Sequence, residues 1–167
     1  DNIAMRMKDE EWQKVIDVNL TAAFRLARGA MRGMMKRRWG RIIGITSIVG
    51  VTGNPGQANY GAAKAGIGAL TVIAAEELGR YGVRVNAVAP AARTRLTEAT
   101  PGLGDIVAAP DDPSRFDEWD PANVSPLVAW LAGEDCPVTG RVFYSFGGTI
   151  APMAGWARQP EISRPDR

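Results

Sequence analysis

Two short apolar runs, RIIGITS at 41–47 and VNAVAP at 85–90, flank a helical stretch over about 58–80, and this alternation limits the fold more than any other feature of the chain. Strands that alternate with helices build a parallel sheet covered by helices, which places the chain in the α/β class. The surrounding pattern predicts a helix over about 8–38, bent near Gly29 or Gly33, then strands at 42–46, at 83–89 (ended by Pro90) and at 141–146. A Pro/Gly/Asp-rich stretch over 94–121 reads as a long functional loop, followed by a helix over 123–132. After the last strand, a Gly147-Gly148 turn leads into a Pro/Arg tail. The expectation is three parallel strands with flanking helices in one incomplete domain over 1–167, with one apolar sheet edge left uncovered.

The chemistry is concentrated in QANYGAAK at 57–64. Tyr60 and Lys64 stand four residues apart, so a helix stacks them on one face. A phenol ordinarily titrates near pH 10, and proton exchange at neutral pH asks for about three pH units less, roughly 4 kcal/mol. One ammonium at about 4 Å in an effective dielectric near 20 supplies roughly that much. The pair by itself also fits a solvated surface contact. Its context is the strand that ends in Thr46 and Ser47, ahead of a loop marked by Gly50, Gly53, Asn54, Pro55 and Gly56. In an open parallel sheet the ligand crevice lies beyond the carboxyl ends of the strands, where the Ser47 hydroxyl can point at a bound carbonyl. Asn19, in VIDVNL at 15–20, is an amide among apolar neighbours, a setting in which such a group commonly bonds backbone.

Asn19, Ser47, Tyr60 and Lys64, followed by VNAVAP, resemble the active-site set of the short-chain dehydrogenase/reductase superfamily, and the resemblance runs over about 1–156. Up to about residue 57, including MRMKDEEW and GMMKRR, the chain is similar to bacterial 3-oxoacyl-[acyl-carrier-protein] reductases. From about residue 60, including APAARTRLTE and NVSPLVAWL, it is similar to the dehydrogenase domain of peroxisomal-type multifunctional β-oxidation enzymes. The resemblance implies a Rossmann-like, doubly wound parallel sheet and hydride transfer between NAD or NADP and a 3-oxoacyl or 3-hydroxyacyl thioester. It casts Tyr60 as proton donor and acceptor, Ser47 as the hydrogen-bond donor to the substrate oxygen, Lys64 as the partner of Tyr60 and of the nicotinamide ribose, and Asn19 as the holder of a relay water. Pro90 and Thr94 match the turn that holds the carboxamide end of the cofactor, with Ala91 where the family has glycine. Gln57, with Arg95, Leu96 and Thr97, falls near the acyl chain. The implied partners are acyl carrier protein or coenzyme A and further copies of the chain, as a homotetramer. The basic series Arg25, Arg28, Arg32, Lys36, Arg37, Arg38 and Arg41 reads as a solvated helix face or, on the resemblance, as a dock for an acidic carrier or a coenzyme A phosphate, with Arg38 foremost.

A dinucleotide fold seats its pyrophosphate on a Gly-rich turn after the first strand, and this sequence holds no such turn. With Asp1 as its opening residue, the chain reads as the carboxyl-terminal part of a longer enzyme. The competing reading is a non-catalytic remnant or oligomerisation subunit that keeps the association helices around 20–35 and 65–78. A net charge of +2 gives no reason to expect nucleic acid. No apolar run reaches membrane length, so the default expectation is a cytoplasmic protein without membrane contact. With no histidine, Ser-His-Asp and Cys-His mechanisms are excluded and the commonest zinc ligand is missing, so metal-free chemistry is expected. Lone Cys136 has no internal disulfide partner.

Overall fold

The computed structural model describes residues 2–100 and 102–154. Its first helix, α1 (Asp9–Ile16), starts where the Glu11 carboxylate accepts the Lys8 amide at 2.9 Å, satisfying one orphan donor of the first turn. The chain then makes a π turn over Asp17–Thr21 and resumes as α2 (Ala22–Arg37). The long helix is thus interrupted at residues 17–21 and not at Gly29 or Gly33. At Gly29 nothing approaches the position a Cβ would take, and the α-helix runs through both glycines. Arg38 closes α2 in the left-handed conformation (φ 56°), and its guanidinium donates to the Arg80 carbonyl at 2.9 Å.

Strand β1 (Gly40–Ile45) is followed by a short helix, α3 (Val49–Thr52), and by the central helix α4 (Ala58–Leu78). Strand β2 (Val83–Ala91) leads through the one-turn helix α5 (Arg95–Glu98) and a long loop to α6 (Ser125–Ala132), and then to β3 (Val142–Phe146) and β4 (Thr149–Met153). The sheet order is β1-β2-β3-β4. The first three strands are parallel, as the pattern predicts, and the fourth is antiparallel to β3, pairing Phe146 with Thr149 and Val142 with Met153. The Gly147-Gly148 turn is therefore a hairpin rather than the start of a tail. Gly147 takes a positive φ of 51°, which lets the chain reverse, and Pro152 is tolerated because, among the described residues, β4 pairs on one side only. The part of the predicted tail beyond residue 154 lies outside the described residues.

Helices cover both faces of β2, which explains its run of buried residues from Val85 to Ala89. On one face Val83 and Val85 pack with Ala74, Ala75 and Leu78 of α4 and with Met31, Met34 and Met35 of α2. On the other, Val88 packs with Phe143, Cys136 and the α6 residues Leu127 and Leu131. Asn86, buried within this layer, stitches β2 to the β3 approach by donating to the Val138 carbonyl at 3.0 Å and accepting the Arg141 amide at 3.1 Å.

Strand β2 also runs two residues further than predicted. The sequence reading stopped it at Pro90, because proline lacks an N–H. Its ladder with β1 ends at the Ile45–Val88 pair, where Pro90 has no N–H with which to continue it, while pairing with β3 carries on through Ala91.

Candidate active site

Ser47 is delivered by the end of β1. Past the last ladder pair, the Thr46 amide still donates to the Val88 carbonyl at 2.8 Å, and the buried Thr46 hydroxyl donates to the Lys64 carbonyl at 2.6 Å. The strand end is thereby tied to α4 at the residue of interest. Ser47 Oγ accepts the Val49 amide at 3.3 Å, which starts α3 and leaves the hydroxyl proton able to donate elsewhere. Helix α3 lies directly on α4: a Cβ on Gly50 would come within 2.6 Å of the Ala65 nitrogen, so only glycine permits this approach.

Tyr60 and Lys64 share one face of α4, with the Lys64 ammonium 5.4 Å from the centroid of the Tyr60 ring. The ammonium also donates to the Ile45 carbonyl at 3.1 Å, which brings it to the carboxyl end of β1. One of its three N–H groups is so engaged. Half-burial pushes Lys64 below its ordinary value, because desolvation disfavours the charged form.

Asn19 lies on the π turn, and its amide donates to the Val15 carbonyl at 3.0 Å, the backbone bond that the sequence reading gave as its ordinary use. The turn is held against α4 by Leu20, whose Cδ2 would lie 2.8 Å from a Cβ on Gly66. Gln57 stands just before α4, where its Oε1 accepts from the Asn54 side-chain amide at 2.9 Å. Pro90 and Thr94 follow from the end of β2, next to β1 in the sheet. Ala91 sits in extended strand, so the residue that replaces glycine there carries no left-handed backbone. Thr94 caps α5 in reciprocal bonds with Thr97, its amide donating at 2.6 Å and its hydroxyl accepting at 3.2 Å. The structure therefore gathers Ser47, Lys64 and Pro90 at the carboxyl ends of two neighbouring parallel strands, with Tyr60 one helical turn before Lys64.

Two supporting residues were missed by the sequence reading. Thr46 is the first. The second is Asn59, buried one place before Tyr60, which donates to the Glu11 carbonyl of α1 at 3.1 Å and accepts the Tyr60 amide at 2.8 Å. It fixes the first turn of α4 and so the backbone from which Tyr60 projects. The signal was available, since an asparagine at a helix start commonly satisfies an orphan amide. A cleft of about 330 Å³ also opens between the 49–57 segment and α4, lined by small residues such as Gly53, Ala58, Gly61 and Ala62. Among the described residues no helix is long and apolar enough to cross a membrane.

A family profile described as short chain dehydrogenase matches residues 2–102. The chain is 43% identical over 156 residues to the 3-oxoacyl-[acyl-carrier-protein] reductase of Vibrio cholerae, a match that covers 89% of this chain and 61% of that one. It thus spans about three fifths of the length of the curated relatives it matches. Among solved structures, a short chain dehydrogenase from Mycobacterium avium superimposes with a TM-score of 0.78 at 43% identity, covering 100% of this chain and 56% of the other. The full-length peroxisomal multifunctional enzyme type 2 from Drosophila melanogaster superimposes with a TM-score of 0.80 at 30% identity, over 99% of this chain and 28% of the other.

Proposed function

The chain belongs to the short-chain dehydrogenase family, and from that premise we propose that it carries the proton-handling half of an oxidoreductase site acting on 3-oxoacyl or 3-hydroxyacyl thioesters. One observation carries the reading: the Lys64 ammonium faces the Tyr60 ring and the carboxyl end of β1 together, beside Ser47. The donor set suits the nicotinamide–ribose end of a dinucleotide, because Lys64 keeps two N–H groups beyond its bond to Ile45 and stands next to the strand end that carries Pro90. NAD(H) or NADP(H), when bound, supplies or takes the hydride.

The residues of this chain do the rest. The Ser47 hydroxyl donates to the carbonyl oxygen of the substrate and holds it in place. As negative charge grows on that oxygen, the Tyr60 phenol gives up its proton to it. The Lys64 ammonium favours the charge left on the phenol oxygen, and a low local dielectric strengthens that attraction. Asn19, on its π turn, holds the water that restores the proton. Pro90 and Thr94 hold the carboxamide end, and Gln57 borders the acyl arm. The carrier is acyl carrier protein or coenzyme A, and the working form is a homotetramer in the cytoplasm.

Reduction of a 3-oxoacyl thioester by NADH or NADPH, together with cofactor titration by fluorescence, tests this. Tyr60→Phe is expected to lower turnover by about 10²–10⁴-fold while leaving cofactor affinity within about twofold. Turnover retained by that variant would rule out the proton role. Cofactor binding absent from a folded wild-type chain would favour the competing reading, a non-catalytic remnant or association subunit.

A further inference from the structure

Arg93 ties together both ends of the segment between β2 and α6. Arg93, three residues past Pro90, donates through Nη1 to the Val107 carbonyl at 3.0 Å and to Asp117 Oδ1 at 3.3 Å, and through Nη2 to Asp117 Oδ2. Its backbone amide donates to the Trp119 carbonyl at 2.7 Å. Asp117 is fixed in turn: its carboxylate accepts the Trp119 amide at 3.1 Å and its carbonyl accepts from Asn123 at 2.8 Å. Trp119 packs edge-on against Phe146 of β3, with ring centroids 4.6 Å apart. The fork holds the Asp117 carboxyl below and the Arg93 guanidinium above their ordinary values. Both side chains are 18% exposed, withdrawn enough from water for a bidentate pair to fix geometry as well as charge.

These bonds bring the two ends of residues 94–116 to one point at the carboxyl end of β2. Between them, Val107 is buried and anchors the middle through its carbonyl, whereas Leu96, Ile106 and Phe116 are 79%, 61% and 64% exposed. The loop thus carries large apolar side chains on its outside and a charged knot at its base. We propose that Arg93 is a positioning residue: latched to Asp117, it holds the described residues of the 94–116 segment as one preformed flap against the Pro90–Thr94 turn, so that the acyl arm of the thioester meets a loop already ordered. Ordering it at the moment of binding would cost affinity. The thioester rests on the function proposed above; the latch rests on geometry alone.

Amide exchange by mass spectrometry on the 167-residue chain tests the latch without any substrate. Arg93→Gln and Asp117→Asn are expected to speed exchange over 94–120 about tenfold, with β1, β2 and α4 unchanged, and Arg93→Lys, which keeps the charge but not the fork, to fall between. Unchanged exchange in the loop, or equal acceleration throughout the sheet, would overturn it. With a 3-oxoacyl thioester, the same variants are expected to raise KM about tenfold, more for longer acyl arms, with kcat within about twofold. A loosened loop with unchanged KM would overturn the positioning role. A wild-type chain that binds cofactor but reduces no thioester would sink the function proposed above, and exchange would then decide the latch by itself.

Discussion

At the scale of single residues, Lys64 links the candidate chemistry to stability. Its burial lowers its titration point in the folded chain below the ordinary 10.5 that holds when unfolded. Between those two points the unfolded state binds more protons, so stability rises with pH through that window. Relative to Lys64→Met, the wild-type chain is therefore expected to gain stability as the pH is raised towards 10.5, read from urea midpoints of both proteins. A constant difference across the window would show that burial does not govern this ammonium. The four-residue interval marked Tyr60 and Lys64 as sharing a face and the strand end marked Ser47, while their proposed roles came from the family resemblance and not from spacing. Thr46 could not be picked out in the same way, and of Asn59 only the bond to an orphan amide at the helix start was legible. Their side chains act on backbone groups 18 and 48 residues away, and nothing in a linear pattern records which carbonyl a hydroxyl or amide will meet.

At the scale of elements, close approach between backbones is what assembles the site. A methyl group at Gly50 would strike the backbone of Lys64 and Ala65, so Gly50→Ala is expected to cost about 1–3 kcal/mol in thermal or urea unfolding and to weaken cofactor binding by moving Ser47. Gly68, inside α4 with open space around it, makes the contrast: Gly68→Ala is expected to stabilise by about 0.5–1 kcal/mol. If both glycines behaved alike, the close approach of α3 to α4 would not be the operative constraint. Helix and strand identities were legible because periodicity reports burial. The carboxyl end of β2 and the hairpin into β4 were hidden, since proline reads as a stop in any strand, whereas its missing N–H here ends only the ladder with β1.

At the scale of the whole molecule, the parallel order of β1, β2 and β3 was legible, since strands that alternate with helices leave few other arrangements. The outer side of β1 has no ladder partner among the described residues, and Ile45 at its end is 47% exposed. An open apolar edge invites pairing, so the chain is expected to associate as its concentration rises, and Ile45→Lys to shift sedimentation velocity towards the monomer. Association unaffected by that charge would locate the contact elsewhere. The π turn at 17–21 has a different reach. Such a turn accommodates a residue beyond the α-helical count, and one residue of helix corresponds to about 100° of rotation. On one side of it α1 packs on α4; on the other α2 sets its methionines against α4 and β2 and also meets β1. The segment that carries Asn19 is thus a gear between two halves of one helix, and losing a single residue there would turn all of α2 to the wrong bearing.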